Sequence, residues 1–213
     1  MERPQGSKTH DKDEYHDLVY EGHLGGCSLT GDGATYYPMM WKRLIEKYDI
    51  KSMIDVGCGR GFSADYFKDL GVKVLGVEGC TGAIEKSFLP PEMIVKHDYE
   101  KDGPYIPEEE FDLCWSCEFV EHVDAGSAPN FLATFQKAKY VAITFAYPGQ
   151  GGHHHVNEQH APYWIDALHK VGFNYLHEDT EELRVHARKD GAKYSPYYES
   201  HFISKGLFFK RVD

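Results

Sequence analysis

The clearest chemical signal in this sequence is a glycine-rich run, DVGCGRG, over residues 55–61. Glycines at alternate positions, Gly57, Gly59 and Gly61, permit a tight turn and let a ligand approach the backbone closely. A nicotinamide dinucleotide loop has the pattern GxGxxG, but this chain has the bulky ring of Phe62 where the third glycine belongs. The run therefore predicts either a binding loop for another ligand or a turn with a purely structural role.

Two acidic residues follow this loop at the ends of the next two apolar segments. Glu78, followed by Gly79, stands 19 residues after Gly59, and an acid at this distance commonly binds ribose hydroxyls. Asp98 and Tyr99 occupy the equivalent place after the third apolar segment. Alone, Glu78 would be interpreted as a solvated surface residue and Asp98 as a turn residue. In combination with the glycine loop, Glu78 is predicted to bind the ribose of an adenosine ligand.

Histidines are concentrated over residues 146–160, a polar and glycine-rich region. We interpret His154, His155 and Asn157 as candidates for binding the second reactant, with a histidine as general base near neutral pH. Two alternatives stay open, a merely solvated loop and a set of histidines that binds a metal ion. His122, in the segment SCEFVEHV, is interpreted either as a general base or as a structural histidine that caps its turn.

The five cysteines give no support for a metal or disulfide framework. Cys114 and Cys117 have CxxC spacing within a predicted strand, and residues three apart on a strand point to opposite faces. A tetrahedral zinc site needs further ligands, and the sequence has no second CxxC. We therefore expect free thiols in a reducing compartment and predict no metal site.

Composition narrows the function classes. The 213 residues carry a net charge of -11 and have a mean hydropathy of -0.54. A nucleic-acid-binding surface is usually basic, so nucleic acid is not expected as a partner, whereas an acidic protein suits a cationic ligand. Because the sequence has neither an apolar run of membrane-spanning length nor an apolar signal-peptide core, we expect a soluble cytoplasmic protein without a membrane partner.

Apolar patterns predict alternating strands and helices after residue 37, so the fold class is α/β with a parallel sheet covered on both faces. Ligands in such sheets bind at the carboxyl ends of the strands, where strand order reverses. We predict strands over residues 52–56, 73–77, 93–96, 111–116, 140–145, 173–177 and 201–210. Predicted helices cover residues 38–48, 62–70, 82–88, 128–138 and 162–171.

Two regions make up the predicted domain organisation. Residues 1–36 form a flexible segment with a disordered start and a glycine-rich part that, together with Tyr36 and Tyr37, is interpreted as a lid. Residues 37–213 form one domain. Aromatic faces at Tyr15, Tyr20 or Tyr99 would favour a positively charged ligand. The exposed aromatic stretch YSPYYESHF is interpreted as a candidate interface, and the oligomeric state is unknown.

In their order along the chain, the motifs resemble those of class I S-adenosylmethionine-dependent methyltransferases. The acid-preceded GxGxG loop resembles motif I, which cradles the amino-acid part of the cofactor, and an acid at the position of Asp98 binds the adenine. The segment Ser116–Val123 resembles the family's "LEHV"-like segment beside the methionine moiety. The resemblance implies a three-layer sandwich with a mostly parallel seven-stranded sheet, in which His201–Lys210 supplies an antiparallel last strand. The implied cofactor-binding residues are Asp55, Gly57, Cys58, Gly59, Gly61, Glu78, Gly79, Asp98, Tyr99, Cys117 and Glu118.

The resemblance implies S-adenosylmethionine as cofactor and in-line methyl transfer to a small-molecule acceptor, with a sugar-like hydroxyl as one candidate. Catalytic candidates are His122, His154 and His155, and acceptor-binding candidates are Tyr37, His154 and Asn157. Two other functions stay open from the sequence alone: a nicotinamide-dependent oxidoreductase on a related fold, and a non-catalytic cofactor-binding domain.

Overall fold

The computed structural model of the chain describes residues 18–19, 21–194 and 201–212. The predicted disordered start, Tyr15, Tyr20 and most of the aromatic stretch from residue 194 to 202 lie outside the described residues. None of the described helices combines the length and the apolar character that crossing a bilayer requires.

Seven strands form the central sheet, in the spatial order β5-β4-β3-β6-β7-β9-β8. Strand β9 is antiparallel to both of its neighbours, whereas the other pairs of adjacent strands are parallel. The predicted fold class, with its antiparallel last strand, is therefore confirmed. A separate small pair joins β1 (Leu18–Val19) to β2 (Cys27–Ser28). The sheet strands are β3 (Ser52–Val56), β4 (Lys73–Glu78), β5 (Ile94–Lys96), β6 (Phe111–Ser116), β7 (Ala138–Ile143), β8 (Phe173–Tyr175) and β9 (Leu207–Arg211).

Helices cover both faces of this sheet. One face packs on α1, α2 and α6 through a core that includes Trp41 and Phe67, and the other packs on α4 and α5 through Phe131 and Trp164. The two cysteines of the CxxC pair lie on opposite faces of the sheet, as predicted. Cys114 belongs to the core with Phe131 and Trp164, and Cys117 packs against the core with Trp41 and Phe67. The helices are α1 (Pro38–Tyr48), α2 (Phe62–Asp69), α3 (Thr81–Glu85), α4 (Ala128–Phe135), α5 (Ala161–Lys170), α6 (His177–Tyr194) and α7 (Phe202–Lys205).

The strand order reverses between β3 and β6, because the chain moves outward from β3 to β5 and then returns to the other side of β3. In open α/β sheets, the crevice at the carboxyl ends of such strands is the usual ligand site. The glycine loop follows β3, and the segment that contains His122 follows β6. The fold therefore brings the two main candidate motifs to the same crevice.

The C-terminal region differs from the prediction. The long helix α6 was not predicted, and the predicted strand over residues 201–210 is wrong in its first half, where the chain forms α7. The stripe that α6 buries consists of Thr180, Leu183, Ala187 and Asp190. The spacing is helical, but two of these residues are polar and one is small, so the apolar pattern is too weak to indicate a helix.

Helix α6 is tied to α1 by polar contacts. Asp190 Oδ2 accepts hydrogen bonds from the backbone N–H groups of Met39 at 2.9 Å and Met40 at 3.1 Å. A carboxylate at the N-terminus of a helix satisfies free amides and complements the helix dipole. The buried charge of Asp190 thus supplies the cap that α1 lacks in its own sequence.

Two tyrosines that precede α1 belong to the core. Tyr36 is 5% exposed and Tyr37 is fully buried. The Tyr37 ring packs edge-on against Trp41 and Trp115, and its hydroxyl accepts a hydrogen bond from the backbone N–H of Phe202 at 3.1 Å. The predictions that Tyr37 binds the acceptor and that both tyrosines belong to a lid are therefore not supported, because neither ring faces a ligand crevice.

Candidate functional site

The glycine loop after β3 adopts the conformation that its sequence predicts. Gly57, Gly59 and Gly61 all have positive φ angles, of 74°, 54° and 79°, a region that side chains disfavour. A Cβ on Gly57 would lie 2.4 Å from the Phe119 ring, so the loop passes directly against the segment that follows β6. Both the backbone conformation and this close approach therefore require glycine.

Glu78, at the end of β4, is bonded to this loop. Its Oε2 accepts a hydrogen bond from the Gly59 N–H at 2.8 Å, and its Oε1 accepts one from the Cys80 N–H at 2.8 Å. Burial raises the pKa of this carboxyl, against the opposing effect of the amide hydrogen bonds. A carboxylate offers about four acceptor sites, so Glu78 keeps capacity for a ligand hydroxyl while it holds the loop.

Asp98 and Tyr99, after β5, have different environments. Asp98 Oδ1 accepts from the Glu100 N–H at 3.0 Å, and its Oδ2 lies 2.9 Å from His23 Nε2. Burial opposes ionisation of Asp98, but the contacts with His23 and Glu100 lower its pKa overall. The Tyr99 ring is 4% exposed and its hydroxyl is 2.9 Å from Thr134 Oγ1. Tyr99 is thus a core residue, and its position does not support stacking on a purine.

Two other residues of the predicted cofactor set have their side chains inside the fold. Asp55 is 2% exposed and its Oδ2 accepts from Ser63 Oγ at 2.8 Å, at the first turn of α2. Burial raises the pKa of Asp55 to about 7. The Cys58 thiol is buried, and burial also raises its pKa. The burial of these two side chains does not support a direct contact of either with a cofactor.

Residues 21–31, here called the cover segment, lie across this crevice. His23 contacts Asp98, and a Cβ on Gly79 would lie 3.1 Å from the Leu24 side chain. On Gly25, a Cβ would lie 2.6 Å from the His122 ring. The cover segment therefore runs over the ends of β4, β5 and β6. It touches Asp98 and Gly79, which are predicted to bind the cofactor, and His122, which is predicted to be catalytic.

Further contacts anchor the cover segment at both ends. Glu21 Oε2 accepts a hydrogen bond from the Thr81 N–H at 2.9 Å. The Arg60 guanidinium donates to the Leu29 carbonyl. Near the middle, Cys27 Cβ approaches the Gly59 position, where an added Cβ would lie 3.1 Å away. A lid in this region stays a prediction, and the contacts across the crevice are made by residues 21–31, while Tyr36 and Tyr37 are buried in the core.

Glu118 is the centre of a charged group after β6. Its backbone has a positive φ of 52°, and its Oε1 lies 2.8 Å from His201 Nδ1 and 2.9 Å from Thr144 Oγ1. His201 Nε2 lies 3.1 Å from Asp32 Oδ2. Burial opposes ionisation of Glu118, but the positive charge of His201 lowers its pKa overall. The neighbouring thiol of Cys117, also in the predicted cofactor set, accepts from Thr144 Oγ1 at 3.7 Å.

His201 was not predicted from the sequence, although it belongs to this charged group. Burial disfavours its protonated form, but Glu118 and Asp32 together raise its pKa to about 10. Its partners stand 83 and 169 residues away in the sequence, so no local pattern identifies it. A histidine held between two carboxylates is a fixed positive charge at neutral pH.

A second polar group lies on the other side of Glu118. Glu121, His122 and His155, here called the Glu-His-His cluster, each offer a side-chain ligand atom within 4.8 Å of the others. Burial raises the pKa of Glu121, and the nearby Glu118 adds to this effect. Burial lowers the pKa of His122 to about 4, with a further contribution from His155.

The loop after β7 is fastened to the turn that contains Glu121. The Glu121 carbonyl accepts hydrogen bonds from Val156 at 2.9 Å and Asn157 at 3.0 Å, and the Asn157 side chain donates to the Val120 carbonyl at 3.4 Å. Asn157 is 2% exposed, so its position is that of a structural residue and does not support the predicted contact with an acceptor. The backbone carbonyl of His154 accepts from His122 Nδ1 at 3.1 Å.

Part of this chain is similar to known methyltransferases. Residues 54–141 match the family model described as "Methyltransferase domain". A curated relative, the ubiquinone biosynthesis O-methyltransferase of Rhodopseudomonas palustris strain HaA2, is 30% identical over 99 residues, which are 43% of this chain and 38% of that protein. The chain therefore matches well under half of the length of this relative.

Solved structures show the same fold. A TehB-like S-adenosylmethionine-dependent methyltransferase from Corynebacterium glutamicum aligns with a TM-score of 0.55 and 20% identity, over 83% of this chain and 88% of that one. Magnesium protoporphyrin IX methyltransferase from Synechocystis, solved with bound S-adenosylmethionine, aligns with a TM-score of 0.53 and 14% identity over 80% of this chain and 76% of that one. At these identities the likeness is one of fold.

Proposed function

We infer that this chain methylates a hydroxyl oxygen of a small molecule. It has the class I Rossmann-like fold of S-adenosylmethionine-dependent methyltransferases and carries a methyltransferase domain over residues 54–141. S-adenosylmethionine is the cofactor of this family. The observation that carries the proposal is the hydrogen bond of 2.8 Å from the Gly59 N–H to Glu78, which joins the glycine loop to an acid at the point where strand order reverses.

The proposed cofactor contacts follow from this geometry. Glu78 would accept a hydrogen bond from a ribose hydroxyl, and the backbone of the glycine loop would lie against the methionine part. Asp98 would bind the adenine amino group and release His23 to do so. Cys117 and Glu118, which follow β6, would border the methionine part. Gly79, which has no side chain to obstruct the ribose, would lie beside Glu78.

An oxygen acceptor is supported by two observations. The curated relatives are O-methyltransferases by name, and the rings of His122 and His155 pack edge-on beside the cofactor crevice, next to the backbone of His154. A hydroxyl must lose its proton to attack a methyl group, and imidazoles are the usual groups that assist such a transfer. The acceptor would enter between the cover segment and the loop after β7.

The reaction itself places few chemical demands on the protein. The sulfonium already activates the methyl group, so catalysis consists mainly of aligning the acceptor oxygen, the methyl carbon and the sulfur. The cover segment would exclude water during this step. The acidic net charge of -11 also favours a cationic cofactor.

The first test is a calorimetric titration of the chain with S-adenosylmethionine and S-adenosylhomocysteine. We expect micromolar binding of both, and a loss of at least about tenfold in affinity for Glu78→Gln, because hydrogen bonds to a charged group contribute about 1.5–3 kcal/mol. Glu85→Gln, an exposed glutamate on α3, is the matched control and should bind as the wild type does. Binding of NADH alone would contradict the proposal and favour an oxidoreductase.

Transfer is tested separately, with the methyl-labelled cofactor and a panel of phenols, catechols and sugars. Incorporation of the label into a hydroxyl of one class identifies the acceptor chemistry. Cofactor binding without transfer to any hydroxyl acceptor, but with transfer to amines, would contradict the oxygen assignment. Binding without transfer to any acceptor would favour a non-catalytic domain.

A further inference from the structure

The Glu-His-His cluster combines two distant parts of the sequence in one place. Glu121 and His122 belong to a short 3-10 helix after β6, and His155 lies in the loop after β7. The two hydrogen bonds that the Glu121 carbonyl accepts from this loop hold the parts together. Within the described residues, the three ligand atoms lie within 4.8 Å of one another. Ligands of a tetrahedral ion lie about 3.5 Å apart, so modest side-chain shifts would close the site.

Glu121 has the property that distinguishes a binding site from a chance cluster. Its side chain is fully buried, and neither carboxylate oxygen has a hydrogen-bond partner among the described residues. An unsatisfied buried polar group costs about 1–3 kcal/mol, and more if it is charged. Folded proteins rarely keep two such atoms on one side chain without a function. A bound cation would satisfy both oxygens.

The two histidines are already oriented as metal ligands are. His122 Nδ1 donates to the His154 carbonyl at 3.1 Å, and His155 Nδ1 lies 3.3 Å from Glu158 Oε1. A proton on each Nδ1 leaves the Nε2 lone pair free. Hydrogen bonds of this kind, to a carbonyl or a carboxylate, fix the tautomer and the ring orientation of histidine ligands. A Cβ on Gly152 would lie 2.5 Å from His155 Nε2, so a side chain at this position would obstruct the nitrogen that is to bind the ion.

We propose that Glu121, His122 and His155 bind one divalent transition-metal ion beside the cofactor crevice. Two imidazoles and one carboxylate suit zinc, iron, cobalt or manganese, whereas calcium and magnesium prefer oxygen ligands only. The sequence leaves open a metal site of the loop histidines but does not indicate this set of ligands, because Glu121 and His155 are 34 residues apart and the intervening pattern is that of a helix and a strand.

The role of the ion rests on the proposed function. Three protein ligands leave open coordination positions, and one of these would hold the acceptor hydroxyl. Coordination lowers the pKa of a bound hydroxyl, so its proton passes to solvent and an oxyanion remains. The new O–CH₃ bond forms as the S–CH₃ bond breaks, which gives a methyl ether and S-adenosylhomocysteine. His122 and His155 would then act as ligands, and neither would be the general base.

The test is metal binding by the full chain after removal of metal by a chelator, without cofactor or acceptor. We expect calorimetry with ZnCl₂ and visible absorption with CoCl₂ to give one equivalent of bound metal. Glu121→Gln and His155→Gln should each lower the affinity at least about 100-fold, since even outer-shell partners of metal ligands contribute 10–100-fold. Glu158→Gln should lower it by about tenfold. His160→Gln, an exposed histidine of the same loop, is the control and should bind normally.

Folding is checked by circular dichroism of each variant, and Glu121→Gln is expected to fold because it removes only an unpartnered charge. If Glu121→Gln and His155→Gln both bind the metal as tightly as the wild type does, the proposed site is wrong. Thiolate charge-transfer bands in the cobalt spectrum would also contradict it. Binding without methyl transfer would leave the site intact and contradict the proposed function. Full methyl transfer by metal-free protein would overturn the role of the ion while the proposed function stands.

Discussion

His201 shows how a single residue fixes the charge balance of the site. It lies between Glu118 at 2.8 Å and Asp32 at 3.1 Å and joins the start of α7 to the segment after β6. These side chains are partly exposed, His201 by 17%, Glu118 by 21% and Asp32 by 36%, so solvent screens both pairs and each contributes up to about 1 kcal/mol. We expect His201→Gln to lower the free energy of unfolding, measured in urea at pH 7, by about 1–2 kcal/mol.

The same variant predicts a pH dependence. The pKa of His201 is raised from 6.5 to about 10 in the folded state. Its stabilising contribution is therefore complete below pH 6.5 and is lost as the pH rises through about 10. The difference in melting temperature between the wild type and His201→Gln should narrow over this range. His160→Gln controls for other titrating groups, and a difference that stays constant from pH 6.5 to 10 would contradict the assignment.

Individual residues are predictable only where the backbone decides their conformation. The positive φ angles of the loop glycines fit the predicted tight turn. Glu78 follows β4 as predicted and bonds to the Gly59 N–H, while its contact with a ribose stays a prediction. Tyr99 and Asn157 were assigned to ligands because they stand near the right strand ends. Both are buried, and a sequence does not show whether a side chain near a loop faces the crevice or the core.

At the scale of elements, the cover segment gives a kinetic prediction. His23 is its contact with Asp98, at 2.9 Å. Asp98 must give up this contact to bind the adenine, and partly exposed pairs of this kind contribute up to about 1 kcal/mol. His23→Ala should therefore bind S-adenosylhomocysteine up to about fivefold faster in stopped-flow measurements. His160→Ala is the matched histidine control. An unchanged association rate would mean that the His23–Asp98 contact does not limit ligand entry.

Elements were predictable in proportion to the strength of their apolar pattern. Strand β6 and helix α1 match the prediction at both ends, since each has a clear alternation or stripe of large apolar residues. Helix α6 is not predicted because most of the residues that it buries are polar or small, and they give no apolar periodicity. The Asp190 cap on α1 is equally invisible in the sequence, as its two partners lie 151 and 150 residues away.

For the whole molecule, ligand binding should appear as a gain in stability. A ligand at about 100 times its dissociation constant adds about 2.7 kcal/mol, which for a domain of this size raises the melting temperature by about 5–10 °C. We expect this shift with S-adenosylhomocysteine, measured by differential scanning calorimetry. The shift should shrink markedly in Glu78→Gln. A wild-type protein that melts at the same temperature with and without the ligand would contradict the cofactor proposal.

The global topology was the most predictable property of the molecule. Alternating strands and helices indicate a parallel sheet, and the resemblance of four motifs to class I methyltransferases is confirmed by the matched domain and by the seven-stranded sheet. The meeting of Glu121 and His122 with His155 could not be predicted. It depends on hydrogen bonds between two loops, and these follow from the complete fold rather than from any local pattern.

Strand β9 has a consequence for how the molecule comes into being. It is the last strand in sequence order, yet it lies between β7 and β8, which a ribosome releases earlier. Until β9 emerges, the apolar strand β7 keeps an unpaired edge, which is a template for pairing between nascent chains. Pairing over such long sequence separations is also slow. A chaperone that shields this edge during synthesis would therefore affect the yield of native protein more than its final stability.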